Sequence, residues 1–217
     1  MSTTVEHAVV QMPVNESFTK PAGAPAIERA AEALRSRMIE VVVVPDADAA
    51  RDAVLGLIPQ GAEVGEGASV TLDQIGVTQI IEQSGHYDAV RPLTRAMDRA
   101  TQMREIRKMG AAPDIQINSV AALTQDGRMV VASSTGSQIG SIAFGAGRLI
   151  LVVGSQKIVK DLDTAMRRVT EYCLPIEDAK MQKLYGVRSA VNKMLVFNAE
   201  ASPGRTTVII VREPVGT

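Results

Sequence analysis

Three short stretches combine glycine with hydroxyl, amide or charged side chains in a way that suits a small polar ligand. The first is Gly65-Glu66-Gly67-Ala68-Ser69-Val70-Thr71. Gly65 and Gly67 let the backbone approach a ligand closely. Ser69 and Thr71 add hydroxyl donors beside a helix start, where free N–H groups favour an anion. A tight turn followed by an ordinary helix cap accounts for the same residues. Glu66, between the glycines, is either a general base or nucleophile or a solvated turn residue. The second stretch is Ser133-Ser134-Thr135-Gly136-Ser137-Gln138. Its hydroxyls and amide would bind oxyanions, a carboxylate or sugar hydroxyls, or form a polar turn capped by Ser137. The third is Ser189-Ala190-Val191-Asn192-Lys193. Lys193 would neutralise an anion or act as a base if desolvated; a solvent-facing strand entrance is the plainer alternative.

The elements that must position these loops follow from periodicity. Residues 1–24 show no sustained period and read as an N-terminal arm, extended or poorly ordered; residues 25–217 read as a single domain. Pro25 opens a helix with Ile27, Ala30, Ala31, Leu34 and Met38 at helical spacing. Val41 to Val44 reads as a strand buried on both faces. Ala50, Ala53, Val54, Leu57 and Ile58 mark the next helix, and Ala62 to Gly67 the next strand. Thr71 and Gln74 match a capping box with Thr71 as N-cap. Its helix carries Leu72, Ile75, Ile80 and Ile81.

A long basic helix is expected from Leu93 to Met109. Asp114 to Leu123 and Met129 to Ser133 read as strands around an Asp126-Gly127 hairpin turn. Leu149 to Val153 is a buried strand. Ile158, Leu162, Ala165, Met166, Val169, Tyr172 and Cys173 outline an amphipathic helix. Leu195 to Phe197 and Thr206 to Val211 close the pattern. Strands alternating with helices predict an α/β fold, a central, mostly parallel sheet with a mixed region, flanked by helices. In such folds ligands sit at the carboxyl ends of the strands.

Composition narrows the function classes. Aromatic residues are 3% of the 217 and there is no Trp, which leaves few platforms for stacking bases. The net charge of -1 provides no field to attract nucleic acid or a membrane surface. Arg95, Arg99, Arg104, Arg107 and Lys108 then read as a solvated helix face. His7, His86 and the single Cys173 give no metal-ligand spacing. Cys173 falls on an apolar helix face and reads as a small core residue. One thiol, no signal-like start and no long apolar run point to a cytoplasmic protein. No cofactor is named by any spacing, and a homodimer is the ordinary expectation.

From about Val41 onward the chain resembles the LUD (lactate-utilisation) domain family. The resemblance rests on Gly67-Ala68-Ser69-Val70-Thr71-Leu72, Asp114 to Ala122, Thr135-Gly136, and Ile150 to Lys160. It continues in Ser189 to Lys193 and Pro203-Gly204-Arg205-Thr206-Thr207-Val208. It implies a NagB/RpiA/CoA-transferase-like fold and a role in lactate-type organic-acid metabolism. It also implies binding of a small anionic metabolite or nucleotide, with transferase or isomerase chemistry if the protein is an enzyme. Gly67, Ser69, Thr71, Thr135, Gly136, Asn192 and Lys193 match as binding positions. Many members look like Gly-Asn-Arg where this chain has Gly136-Ser137-Gln138, so an anion-clamping Arg is missing. The family's association with iron–sulfur redox proteins suggests an alternative, a non-catalytic accessory or regulatory subunit of such a complex.

Overall fold

The computed structural model describes residues 11–217. Six strands form one wholly parallel sheet: β1 (Glu40–Val44), β2 (Glu63–Glu66), β3 (Asp88–Ala89), β4 (Ile115–Ser119), β7 (Arg148–Gly154) and β10 (Thr206–Val211). Their spatial order is β1-β10-β7-β4-β2-β3. Four more strands, β5 (Ala122–Thr124), β6 (Met129–Ser133), β8 (Ile158–Val159) and β9 (Lys193–Phe197), form a second, mixed sheet ordered β8-β5-β6-β9. The α/β class with a mostly parallel sheet and a mixed region is therefore as the sequence pattern predicts.

Apolar periodicity explains the layering. In central β7, Leu149, Leu151 and Val153 enter one core cluster and Ile150 and Val152 another. Burial on both faces is why this strand reads as an unbroken apolar run, and each such side chain contributes about 1.5–3 kcal/mol. One face packs on the second sheet, through Leu123, Met129 and Val131, and on α1 (Ala24–Arg35), through Ile27, Ala30 and Leu34. The other face packs on α2 (Ala47–Gly56), α3 (Val70–Gln74) and α4 (Val77–Gln83), through Val54, Leu72, Val77 and Ile81. The outer face of the second sheet is covered by α7 (Leu162–Arg168) and the π-helical turn Val169–Cys173, with Ala165, Val169 and Tyr172 inward. Phe18, in a single turn at Glu16–Thr19, joins that cluster, and Asn15 N–H donates to the Glu171 carbonyl. Residues 1–10 of the expected arm lie outside the described residues.

Several local expectations are corrected. The Val41–Val44 run is not buried on both faces: β1 is an edge strand, paired on one side with β10, and Val42 is exposed. A β-branched run alone does not separate edge from centre. Met38 lies beyond α1, exposed and with φ +60. The basic segment is two helices, α5 (Val90–Ala96) and α6 (Met103–Ala111), broken where Asp98 turns the chain by accepting from Ala100 N–H and Thr101. Asp114–Leu123 is two strands, β4 and β5, the second turning into the other sheet. Ile158 belongs to β8, and the amphipathic helix starts only at Leu162. The hairpin holds: β5 and β6 pair antiparallel and Gly127 supplies φ +85.

Parallel order aligns the strand ends. β10, β7, β4 and β2 are neighbours, so Val211, Gly154, Ser119 and Glu66 end side by side. Two open clefts, of about 650 Å³ and 990 Å³, lie at the opposite end, beside the residues that lead into β2, β4, β7 and β10.

Candidate functional site

At the carboxyl ends of the strands, Lys157 lies in a single turn, Ser155–Lys157, directly after β7. It is 2% exposed. Its Nζ donates to Thr71 Oγ1 at 2.8 Å and to Ser119 Oγ at 3.0 Å. Thr71 Oγ1 donates to Ser119 Oγ at 3.2 Å, and Ser119 Oγ to the Val152 carbonyl at 2.6 Å. Both hydroxyl protons are thus committed, and both hydroxyls face the lysine as acceptors. Burial lowers the Lys157 ammonium from 10.5 to about 7, helped by the nearby Arg168 guanidinium and opposed by Cys173.

The same turn is covered by the segment after β10. Gln156 Nε2 donates to the Val215 and Gly216 carbonyls, both at 2.9 Å, and Gly216 N–H donates to Gln74 Oε1 at 2.6 Å. Gly216 has φ +78, and a Cβ there would stand 2.0 Å from Thr71 Oγ1 and 3.0 Å from Lys157 Nζ. Only glycine fits this close approach.

Arg168 is the second buried cation. It is fully buried on α7, and its Nη1 donates to the Ala121 carbonyl and to Cys173 Sγ at 3.1 Å. Its guanidinium carbon stands 5.0 Å over the Tyr172 ring. Nε and Nη2 are buried with no hydrogen-bond partner. No carboxylate figures among the groups that act on either Lys157 or Arg168. Burial pushes the Cys173 thiol up, against the pull of Arg168 and Lys157.

Glu66 ends β2 with its side chain 1% exposed. Oε1 accepts from Thr78 Oγ1 and, at 3.1 Å, from Arg91 Nη1, while Oε2 is buried without a partner. Burial raises its carboxyl from 4.5 to about 7, although Thr78 and Arg91 pull it down. Arg91 also reaches Glu82 at 3.5 Å. The flanking glycines have a packing reason: a Cβ at Gly65 would stand 2.6 Å from Gln116 Oε1, and one at Gly67 2.5 Å from Asn118 Oδ1. They admit two buried amides of β4. Asn118 is 4% exposed, and its side chain makes no hydrogen bond among the described residues.

The cap of α3 is Ser69, not Thr71: Ser69 Oγ accepts from Leu72 N–H at 3.4 Å. That frees Thr71, inside the helix and 1% exposed, for the lysine.

The Ser134–Gln138 and Asn192–Lys193 stretches come together because β6 and β9 pair, with Ser133 opposite Lys193. Lys193 Nζ donates to the Thr135 carbonyl at 3.0 Å and Asn192 Nδ2 to the Ser134 carbonyl at 3.2 Å. Gly136, at φ +83, packs against the Lys193 stem. Its N–H donates to Ser133 Oγ at 2.9 Å, and Ser137 Oγ to Gln138 Oε1 at 3.2 Å. This cluster is largely exposed and bonded to itself. Among the described residues no hydrogen bond joins it to Lys157 or Glu66. Thr71, by contrast, bonds Lys157 directly, while Ser69 caps its helix and Gly67 packs on Asn118.

Sequence reasoning passed over Lys157, Ser119 and Arg168. The carboxyl-end rule, applied to the strand ending at Gly154, points to Ser155-Gln156-Lys157. Arg168 shows as a charge among Leu162, Ala165, Val169 and Tyr172, an apolar helical stripe. Among the described residues no group of three His, Cys, Asp or Glu could hold a metal ion. No helix among them is long and apolar enough to cross a membrane.

Open, mostly parallel α/β sheets bind their ligands at the carboxyl ends of the strands, where Lys157 lies. The LUD domain matches residues 27–211, and the chain belongs to the LUD domain family. The crystal structure at 1.70 Å of a DUF162 family protein from Deinococcus radiodurans is similar in fold, with a TM-score of 0.56 at 12% identity. That likeness covers 88% of this chain and 99% of the other. No curated protein matches the chain.

Proposed function

We propose that this LUD domain protein binds a small organic anion at the carboxyl end of its parallel sheet, around Lys157, in lactate-type organic-acid metabolism. One observation carries the reading: Lys157 and Arg168 are both buried and neither has a carboxylate partner. A buried cation without a counter-charge costs several kcal/mol, and an anionic ligand would remove that cost. The unpartnered Nε and Nη2 of Arg168 are donors for such a ligand. The resemblance to lactate-utilisation proteins favours organic acids over other anions. Thr71 belongs to this site, with Ser69 capping its helix; Ser134, Thr135, Gly136, Ser137, Gln138, Asn192 and Lys193 form a second, exposed candidate.

A thermal-shift panel of lactate, pyruvate, glyoxylate, sugar phosphates, nucleotides and CoA esters tests the reading. A ligand at a hundred times its dissociation constant adds about 2.7 kcal/mol. The expected result is a shift by an organic acid that Lys157→Met abolishes. Equal shifts in Lys157→Met, or none from any compound, would overturn it.

A further inference from the structure

The hydrogen-bond inventory around Lys157 distinguishes an ammonium from an amine. An ammonium has three N–H donors and no lone pair; a neutral amine has two donors and one lone pair. Two acceptors face Nζ, Thr71 Oγ1 and Ser119 Oγ, and each has already directed its own proton elsewhere. No third acceptor stands there among the described residues. The site therefore satisfies a neutral amine and leaves its lone pair unshared. What covers the remaining side is glycine backbone at Gly216, not a side chain. Lifting that segment presents the lone pair to whatever enters.

Arg168 supplies the second group. Nε and Nη2 are the pair of guanidinium nitrogens that grips a carboxylate through two parallel hydrogen bonds, and these two are the unpartnered ones. Nη1 is held by the Ala121 carbonyl and Cys173 Sγ, and the ring of Tyr172 backs the plane. Lys157 is anchored on Ser119 and Arg168 on the carbonyl of Ala121, two residues further along the chain, so an amine nucleophile and a free carboxylate grip, both buried, fit a ligand with a carbonyl next to a carboxylate.

We propose that Lys157 forms an imine with a small 2-oxo acid whose carboxylate is held by Arg168. This rests on the reading that an organic anion binds at Lys157. The Nζ lone pair attacks the carbonyl carbon, a C–N bond forms, the C=O π pair moves to oxygen, and the oxygen takes up the proton that Nζ sheds, to give a neutral carbinolamine. The hydroxyl takes a proton from solvent, the nitrogen lone pair expels it as one water, and the protonated C=N bond to Lys157 gives that proton back to solvent on becoming the imine. No oxidant or reductant is consumed, and water reverses both steps. The groups that act electrostatically on Lys157 are Arg168 and Cys173.

The test is reductive trapping of the full chain with pyruvate, and separately glyoxylate, in cyanoborohydride near pH 7. Intact mass and peptide mapping read the outcome. The expected result is one adduct per chain, on Lys157, absent at that position in Lys157→Met. Arg168→Met should lower the ratio of the trapping rates with pyruvate and with the uncharged probe acetaldehyde by about tenfold or more, a ratio in which any change in Lys157 protonation cancels. That comparison separates a carboxylate grip from a general loss of fold. Adducts spread over exposed lysines such as Lys193 would overturn the proposal. So would a thermal shift by pyruvate with no adduct, which leaves anion binding standing and removes the imine. Neither shift nor adduct would remove both.

Discussion

Replacing Lys157 by Met removes a buried titratable group while keeping an unbranched side chain of similar length. In the folded protein its value is about 7; at its ordinary value of 10.5 the unfolded chain keeps the proton. Between those values the unfolded state binds more protons, so stability rises with pH across that window. It is lost again as pH falls through 7. Relative to a neutral group, Lys157 then costs roughly 4 kcal/mol at pH 7 and roughly 2 kcal/mol at pH 9. Methionine loses the bonds to Thr71 and Ser119, which costs about 1 kcal/mol with little dependence on pH because both hydroxyl protons stay bonded elsewhere. Lys157→Met should therefore be more stable than wild type by roughly 3 kcal/mol at pH 7. The gap should narrow by roughly 2 kcal/mol at pH 9. Urea denaturation of both proteins at the two pH values measures it. A gap that stays constant from pH 7 to 9, or a variant less stable at pH 7, would refute the reasoning.

Glu66 predicts the opposite slope. With its carboxyl raised from 4.5 to about 7, its contribution to stability is full below 4.5 and is lost as pH rises to 7 and beyond. Glu66→Gln should remove a penalty of about 3 kcal/mol at pH 8 and change little at pH 4.5, read by the same denaturation curves. Gly216→Ala places a Cβ 2.0 Å from Thr71 Oγ1 at a φ of +78, so the covering segment should detach. Lys157 should then react faster with an amine reagent, measured by peptide mapping, with a stability loss of about 1–2 kcal/mol. Lys193→Met removes an exposed ammonium bonded to the Thr135 carbonyl. It should leave organic-acid affinity at Lys157 unchanged in a calorimetric titration.

The fold was legible because its signals are local. The unbroken run at Leu149–Val153 and the Asp126-Gly127 turn each carry their reason within a few residues, and both stand as expected. The failures are also physical. Thr71 and Ser69 are both good capping residues, and only the depth of Thr71 in the core assigns the cap to Ser69. Whether Val41–Val44 is central or at an edge depends on which strand pairs with it, and that strand lies far away in sequence. The site was the least legible part. Thr71, Ser119, Lys157 and Gly216 come from four separate segments, joined by the parallel order of β4, β7 and β10. No spacing in the chain announces such a set. Gly65 and Gly67 stood out for their type, yet what they fit is Gln116 and Asn118.

The central claim is that an organic anion pairs with Lys157. Calorimetric titration with L-lactate at pH 7, repeated in buffers of different ionisation enthalpy, tests it most directly. Lactate has no carbonyl to form an imine, so only ion pairing is read. Burial favours the neutral form of Lys157 near pH 7, and a bound anion favours the charged form. Binding should therefore take up a measurable fraction of a proton per lactate, and Lys157→Met should abolish the uptake. Binding heats independent of buffer, or the same uptake in Lys157→Met, would contradict the account.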